Sequence, residues 1–134
     1  MDLYAQNILD RYKNPYYLDK KIDADIRHKE TNHSCGDSVE VSIQVNEDGK
    51  ITGYSFSGVG CAISMASADM LGDLVSELEK DEVLDLKKED IYRMLGIEIS
   101  LRRSKCALLA LLALQNGILK RRKMEPKSWS DFHL

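Results

Sequence analysis

Three cysteines stand in short glycine-bearing or basic stretches of the chain. They are Asn32-His33-Ser34-Cys35-Gly36-Asp37, Gly58-Val59-Gly60-Cys61-Ala62 and Arg103-Ser104-Lys105-Cys106-Ala107. Each falls where an extended or loop pattern gives way to a regular element. An odd number of cysteines behind no secretory leader argues against a disulfide framework and for free thiols in a reducing compartment, here the cytoplasm. Three thiols and the carboxylate of Asp37 form a complete donor set for a closed tetrahedral metal site. The chemistry to expect is therefore metal binding or sulfur handling.

The local settings suit either role. Cys35 and Asp37 are two residues apart, and in an extended segment such positions point the same way. Gly36 between them permits a tight turn or a close approach of the backbone. Cys61 is expected to open a helix, where unpaired amides and the helix dipole stabilise an anion and lower a thiol pKa. Cys106 repeats that arrangement beside Arg102, Arg103 and Lys105. Taken singly, a free cysteine is more often an inert core filler, Asp37 a turn residue and Arg103 a surface charge. His33 is the one histidine near a cysteine, and a polar loop residue is its ordinary role. A Cys35–His33 nucleophile is a poor third reading, because no further group is placed to orient the base.

The elements that must position these groups follow from periodicity. Asp2 caps a first helix ending near Asn14, because Pro15 pushes its predecessor out of the α region. The stretch 16–24 reads as a connection, and a short strand follows over 26–31. Val39, Val41, Ile43 and Val45 alternate with polar residues, which is the signature of a half-buried strand. Glu47-Asp48-Gly49 supplies the hairpin turn, and residues 51–57 return as its partner. Ile63, Ala66, Met70, Leu74 and Leu78 then recur at helical steps, predicting a helix to about Lys80. Asp85 is expected to cap a short helix ended by Gly96, and Ser104 to cap a last helix running to about Arg122. Strands first and helices second mean an α+β fold: a small antiparallel sheet of two or three strands with helices packed on one face.

Composition narrows the classes further. A chain of 134 residues with 43% hydrophobic and 31% charged residues fits one soluble globular domain over 1–134. Its tail, 125–134, either folds back or frays. The net charge of −3 leaves no basic footprint for nucleic acid. The run Lys120-Arg121-Arg122-Lys123 reads as a solvated helix end that complements the dipole. The apolar run 107–114 is far too short to span a bilayer, so no membrane role is expected.

These residues resemble the U-type iron–sulfur cluster scaffold family, the IscU, SufU and NifU N-terminal group. The likeness runs through Leu9-Asp10-Arg11-Tyr12-Lys13-Asn14-Pro15, Cys35-Gly36-Asp37, the block from Gly58 to Ser67, and Lys105-Cys106-Ala107-Leu108-Leu109. It implies an α+β, SufE/NifU-like scaffold with Cys35, Asp37, Cys61 and Cys106 at its tip, holding Zn2+ or a [2Fe–2S] cluster at one site. It also implies two kinds of partner, a cysteine desulfurase (SufS- or IscS-like) that donates sulfur and iron–sulfur acceptor proteins that receive it.

Two branches of that family differ near the third cysteine. The scaffold branch has a histidine before it and a Leu-Pro-Pro-Val-Lys chaperone motif upstream. Lys105 and Ile97-Glu98-Ile99-Ser100-Leu101 stand in those places here. Arg103-Ser104-Lys105-Cys106 matches the SufU-like Arg-x-Lys-Cys pattern instead. Against this, the insertion usual in that branch between the second and third cysteines is absent, and His33 replaces a common proline. The balance favours the SufU-like branch, with Cys35 as sulfur acceptor, Arg103 assisting, and Cys106 as the acceptor of the alternative branch. A domain whose zinc is purely structural, and which transfers no sulfur, is the competing function.

Overall fold

The computed structural model describes residues 2–134. Helix α1 spans Leu3–Lys13, and the Asp2 carboxylate accepts the Ala5 amide at 2.8 Å as its cap. Three strands follow: β1 (Ile26–Asn32), β2 (Asp37–Val45) and β3 (Ile51–Val59). They form one antiparallel sheet in the order β1-β2-β3, with Val41 opposite Phe56 and Ile43 opposite Tyr54. The alternation read from the sequence is the one that buries Val39, Val41 and Ile43 completely. The connection 16–24 has a further use. Phe56 N–H donates to Tyr17 O and Asp19 N–H to Phe56 O, so this segment covers the outer edge of β3.

Helix α2 spans Ala62–Val75, α3 Lys80–Val83, α4 Lys88–Leu95 and α5 Ser104–Arg121. Helix α5 lies across β1 and β2, while α2 packs beside it against β3 and α1. Residues 107–114 are buried on every side, which is why that apolar run shows no amphipathic stripe. The fold is thus α+β, a three-stranded antiparallel sheet packed against helices. Among the described residues no helix is long and apolar enough to cross a membrane.

Three helix boundaries differ from expectation. Helix α2 stops at Val75 rather than near Lys80, because the chain turns to pair with the start of β3. Ile51 N–H donates to Leu78 O, and Glu77 N–H to Ile51 O. Leu78 keeps its helical spacing by coincidence and packs on the core from a loop. Lys87, not Asp85, precedes α4, and Asp90 accepts the Lys87 amide at 2.8 Å. Ser104 is the first residue of α5 rather than its cap. A 3-10 turn over Leu101–Arg103 leads into the helix, and the Ser104 hydroxyl donates to Leu101 O at 2.7 Å. The tail folds back. Lys127 exchanges two backbone bonds with the Asn116 amide on α5, and Phe132 is buried.

A buried ion pair fastens α1 to α2. Arg11 donates to both the carboxylate and the carbonyl of Asp69 and to Asp73, while the other Asp69 oxygen accepts the Tyr17 amide. Asp69 is fully buried, so removing it takes away one of the two carboxylates that Arg11 bonds and leaves the Tyr17 amide without its acceptor. Asp69→Ala is expected to lower the free energy of unfolding by about 2–3 kcal/mol in urea titrations. Asp73 adds a pH dependence. Burial alone would push its carboxyl up, but bonds from Arg11 and Tyr17 hold it below its ordinary value. A native pKa below the unfolded one gives stability that is complete above about pH 3.9 and is lost as pH falls through the native value. The Asp73→Asn variant should show a correspondingly flatter fall in acid.

Candidate metal and sulfur site

The β1–β2 hairpin carries the first two candidate ligands. Its loop, residues 33–36, is closed by Asn32, whose carbonyl accepts the Cys35 and Gly36 amides at 3.3 and 2.9 Å. The Asn32 side chain accepts the Ser34 amide as well. Gly36 has φ +74°, a conformation that glycine adopts without strain. No atom lies within 4 Å of a Cβ built there, so backbone conformation rather than space calls for glycine. Cys35 and Asp37 therefore come together through a turn, not through the extended i, i+2 geometry the spacing suggested. Cys35 is exposed on the loop, whereas Asp37 opens β2 and is 3% exposed.

Cys61 and Cys106 arrive from helix starts, as expected. Cys61 is the N-cap of α2, placed there by the end of β3. Gly58 allows that strand to lie against β2, since a Cβ there would fall 2.1 Å from Ser38 O. Cys106 sits in the first turn of α5 and is 2% exposed. Its sulfur is 3.9 Å from that of Cys35. Donor atoms of Cys35, Asp37 and Cys106 all lie within 4.8 Å of one another. Cys61 is not within that distance of all three, but it lines the same cleft of about 220 Å³ together with Arg102 and Arg103. His33 is exposed and outside that lining.

One residue of this site escaped the sequence reading. Ser64, buried in the first turn of α2, donates its hydroxyl to Asp37 Oδ2 at 2.6 Å and lies 3.6 Å from the Cys61 sulfur. The available signal was its spacing, three residues after the helix-opening Cys61, the usual reach of a capping pair.

The thiols divide in their acidity, and one departs from expectation. Burial pushes the Cys61 thiol up, but bonds from the Ser64 amide and hydroxyl, from Cys106 and from the Ile63 amide outweigh it and bring it below the usual cysteine value. Cys106 was expected to be lowered in the same way. It is raised instead, first by burial and then by the adjacent Asp37 and Cys61, whose negative charge disfavours a second anion. The helix start is the same kind of place in both cases; the neighbours differ.

The donor set fits a tetrahedral divalent ion. Two thiolates bonded to zinc at about 2.3 Å stand about 3.8 Å apart, close to the spacing of Cys35 and Cys106. Four donors crowded in one cleft, three of them thiols, favour zinc or iron over the oxygen-preferring cations.

Comparison with known proteins agrees with this geometry. The profile of the NifU-like N-terminal domain matches residues 3–127. The zinc-dependent sulfurtransferase SufU of Bacillus subtilis is 32% identical, covering 88% of this chain and 90% of that protein. That alignment runs over 140 residues, more than the 134 of this chain, so the relative carries residues with no counterpart here. The iron–sulfur cluster assembly scaffold protein IscU of Thermotoga maritima is 28% identical over 88% of this chain and 94% of its own. In structure, the chain is similar to a putative iron–sulfur cluster assembly scaffold protein for the SUF system from Fervidobacterium islandicum. That similarity has a TM-score of 0.72 at 25% identity, over 84% of this chain and 94% of the other. The chain belongs to the NifU-like N-terminal domain family, the iron–sulfur scaffold family that includes the SufU and IscU proteins.

Ser64 touches two candidate ligands and has no other visible duty. Ser64→Ala is expected to weaken zinc binding by about 10–100-fold in chelator competition, the range for loss of a group that orients ligands. An unchanged zinc affinity would remove Ser64 from the site.

Proposed function

We propose that this chain accepts sulfur from a cysteine desulfurase at Cys35 and passes it on to iron–sulfur assembly, with Cys35, Asp37, Cys61 and Cys106 as the ligands of one zinc. The observation that carries this reading is the exposure of Cys35 on a glycine-hinged loop, 3.9 Å from a buried Cys106. Among the three thiols it is the most exposed, and its loop lies outside any helix. Bound zinc would hold the thiols as thiolates near neutral pH.

The transfer itself needs no outside oxidant. The Cys35 thiolate attacks the outer sulfur of the donor persulfide; one S–S bond forms as the donor's breaks, and the donor cysteine leaves as a thiolate. Arg103, at the cleft wall, offers positive charge to the anions on both sides of that exchange. Asp37 is the hard ligand of the set and so the exchangeable one. The similarity to a zinc-dependent sulfurtransferase and the Arg-x-Lys-Cys pattern support the relay role, and cluster assembly on the same four groups is the scaffold role. The partners would be a SufS- or IscS-like desulfurase and apoproteins that take up sulfur or clusters, in the cytoplasm.

Loading by a desulfurase, followed by mass spectrometry of each Cys→Ser variant, tests the assignment. Label should vanish in Cys35→Ser and persist in Cys106→Ser. The reverse pattern would move the acceptor to Cys106 and the chain to the scaffold role. Asp37→Ala should retain the fold while changing the rate at which bound metal exchanges with a chelator. Equal exchange rates in variant and parent would place Asp37 outside the ligand set.

A further inference from the structure

The residue before Cys106 has been taken out of the cleft. Lys105 occupies the position directly preceding a candidate ligand, yet the cations that line the cleft are Arg102 and Arg103. Its ammonium lies instead over the indole of Trp129, 5.8 Å from the ring centroid. Successive residues of a helix point about 100° apart, so Lys105 leaves α5 on a different side from Cys106. A four-carbon stem gives its ammonium the reach to swing back.

The indole is supplied by a segment that the family match, ending at residue 127, does not include. That segment is firmly held. Asn116 on α5 bonds both backbone groups of Lys127, Lys127 Nζ donates to Leu84 O, and Lys88 Nζ donates to His133 O. Phe132 is 5% exposed and packs against Trp129 with tilted rings, centroids 6.2 Å apart. The tail is thus anchored on both sides of the indole.

We propose that Trp129 is a positioning residue that holds the Lys105 ammonium outside the thiol cleft, leaving its positive charge to Arg102 and Arg103. The inference rests on the reading of this cleft as the metal and sulfur site. A third cation at the thiols would oppose a bound divalent metal and hold an anionic sulfur more tightly after transfer. By drawing Lys105 to an aromatic face, the tail sets how cationic the cleft is without changing any ligand.

The test compares alkylation of Cys35 in the chelator-treated full chain by iodoacetate, an anion, and by neutral iodoacetamide. The ratio of the two rates cancels the thiolate fraction and reports the local charge. In Trp129→Ala at low salt the ratio should rise by about two- to fourfold, the effect of one unit charge brought within about 6–10 Å in water. Trp129→Phe, which keeps an aromatic face, should stay near the parent. The rise should disappear in Trp129→Ala/Lys105→Met. Lys105→Met alone should leave the ratio close to the parent's, because the ammonium is already parked, and this arm does not depend on how well the tail variant folds. A ratio unchanged in Trp129→Ala, a rise that survives in the double variant, or a fall in Lys105→Met alone would each overturn the proposal. The measurement uses neither zinc nor persulfide, so failure of sulfur transfer would leave its result intact.

Discussion

The structure turns on one costly juxtaposition: a buried carboxylate among three thiols. Asp37 is 3% exposed, and Cys106, beside it, is 2% exposed. Among the described residues neither has an ion-pair partner, and a buried polar group is disfavoured unless its hydrogen bonds are supplied. Ser64 supplies one strong hydrogen bond to the carboxylate and a weaker contact to Cys61. Arg102 and Arg103 bring positive charge to the same cleft, yet the Cys106 thiol is raised, first by its burial. A divalent cation would favour the thiolate there, since the ion's charge inverts the local preference for neutral groups. On the proposed reading, a cation completes this set of four groups.

Such a site needs a frame that does not depend on its contents. The body of α5 is buried on all sides, and the β2 face beneath it carries the buried Val39, Val41 and Ile43. The Arg11–Asp69–Asp73 cluster ties α1 to α2 well away from the thiols. The four candidate ligands come from three places where elements begin or turn: a hairpin loop and the β2 start, the N-cap of α2, and the first turn of α5. Two of those places are helix starts, and the third holds Cys35 on an exposed loop. The proposed sulfur acceptor is thus the one thiol of the set that lies outside a helix start.

Much of this was legible in the residues. The alternation of Val39, Val41 and Ile43, the helix started by Asp2, and Gly96 as a stop all follow from local rules and stand in the structure. What local rules missed were consequences of tertiary pairing. Leu78 has perfect helical spacing, yet the backbone of β3 takes its carbonyl and ends α2 at Val75. Ser104 has the right chemistry for a cap, but the turn before it leaves its hydroxyl bonded to Leu101 O. The convergence of three cysteines could be named because their types and settings are unusual. The acidity of Cys106 could not, because it depends on Asp37 and Cys61 standing next to it, and they are distant in sequence. Ser64 was hidden for the same reason: an ordinary helix serine becomes a site residue only when the β1–β2 hairpin brings Asp37 to it.

Cys35, Asp37, Cys61 and Cys106 are proposed to hold one metal ion together. Zinc-edge X-ray absorption of the protein loaded with one equivalent of zinc addresses it directly, because sulfur and oxygen shells separate by distance. A zinc held by all four groups gives about three sulfurs near 2.3 Å and one oxygen near 2.0–2.2 Å. A shell with two or fewer sulfurs, or one dominated by histidine nitrogen, would contradict it.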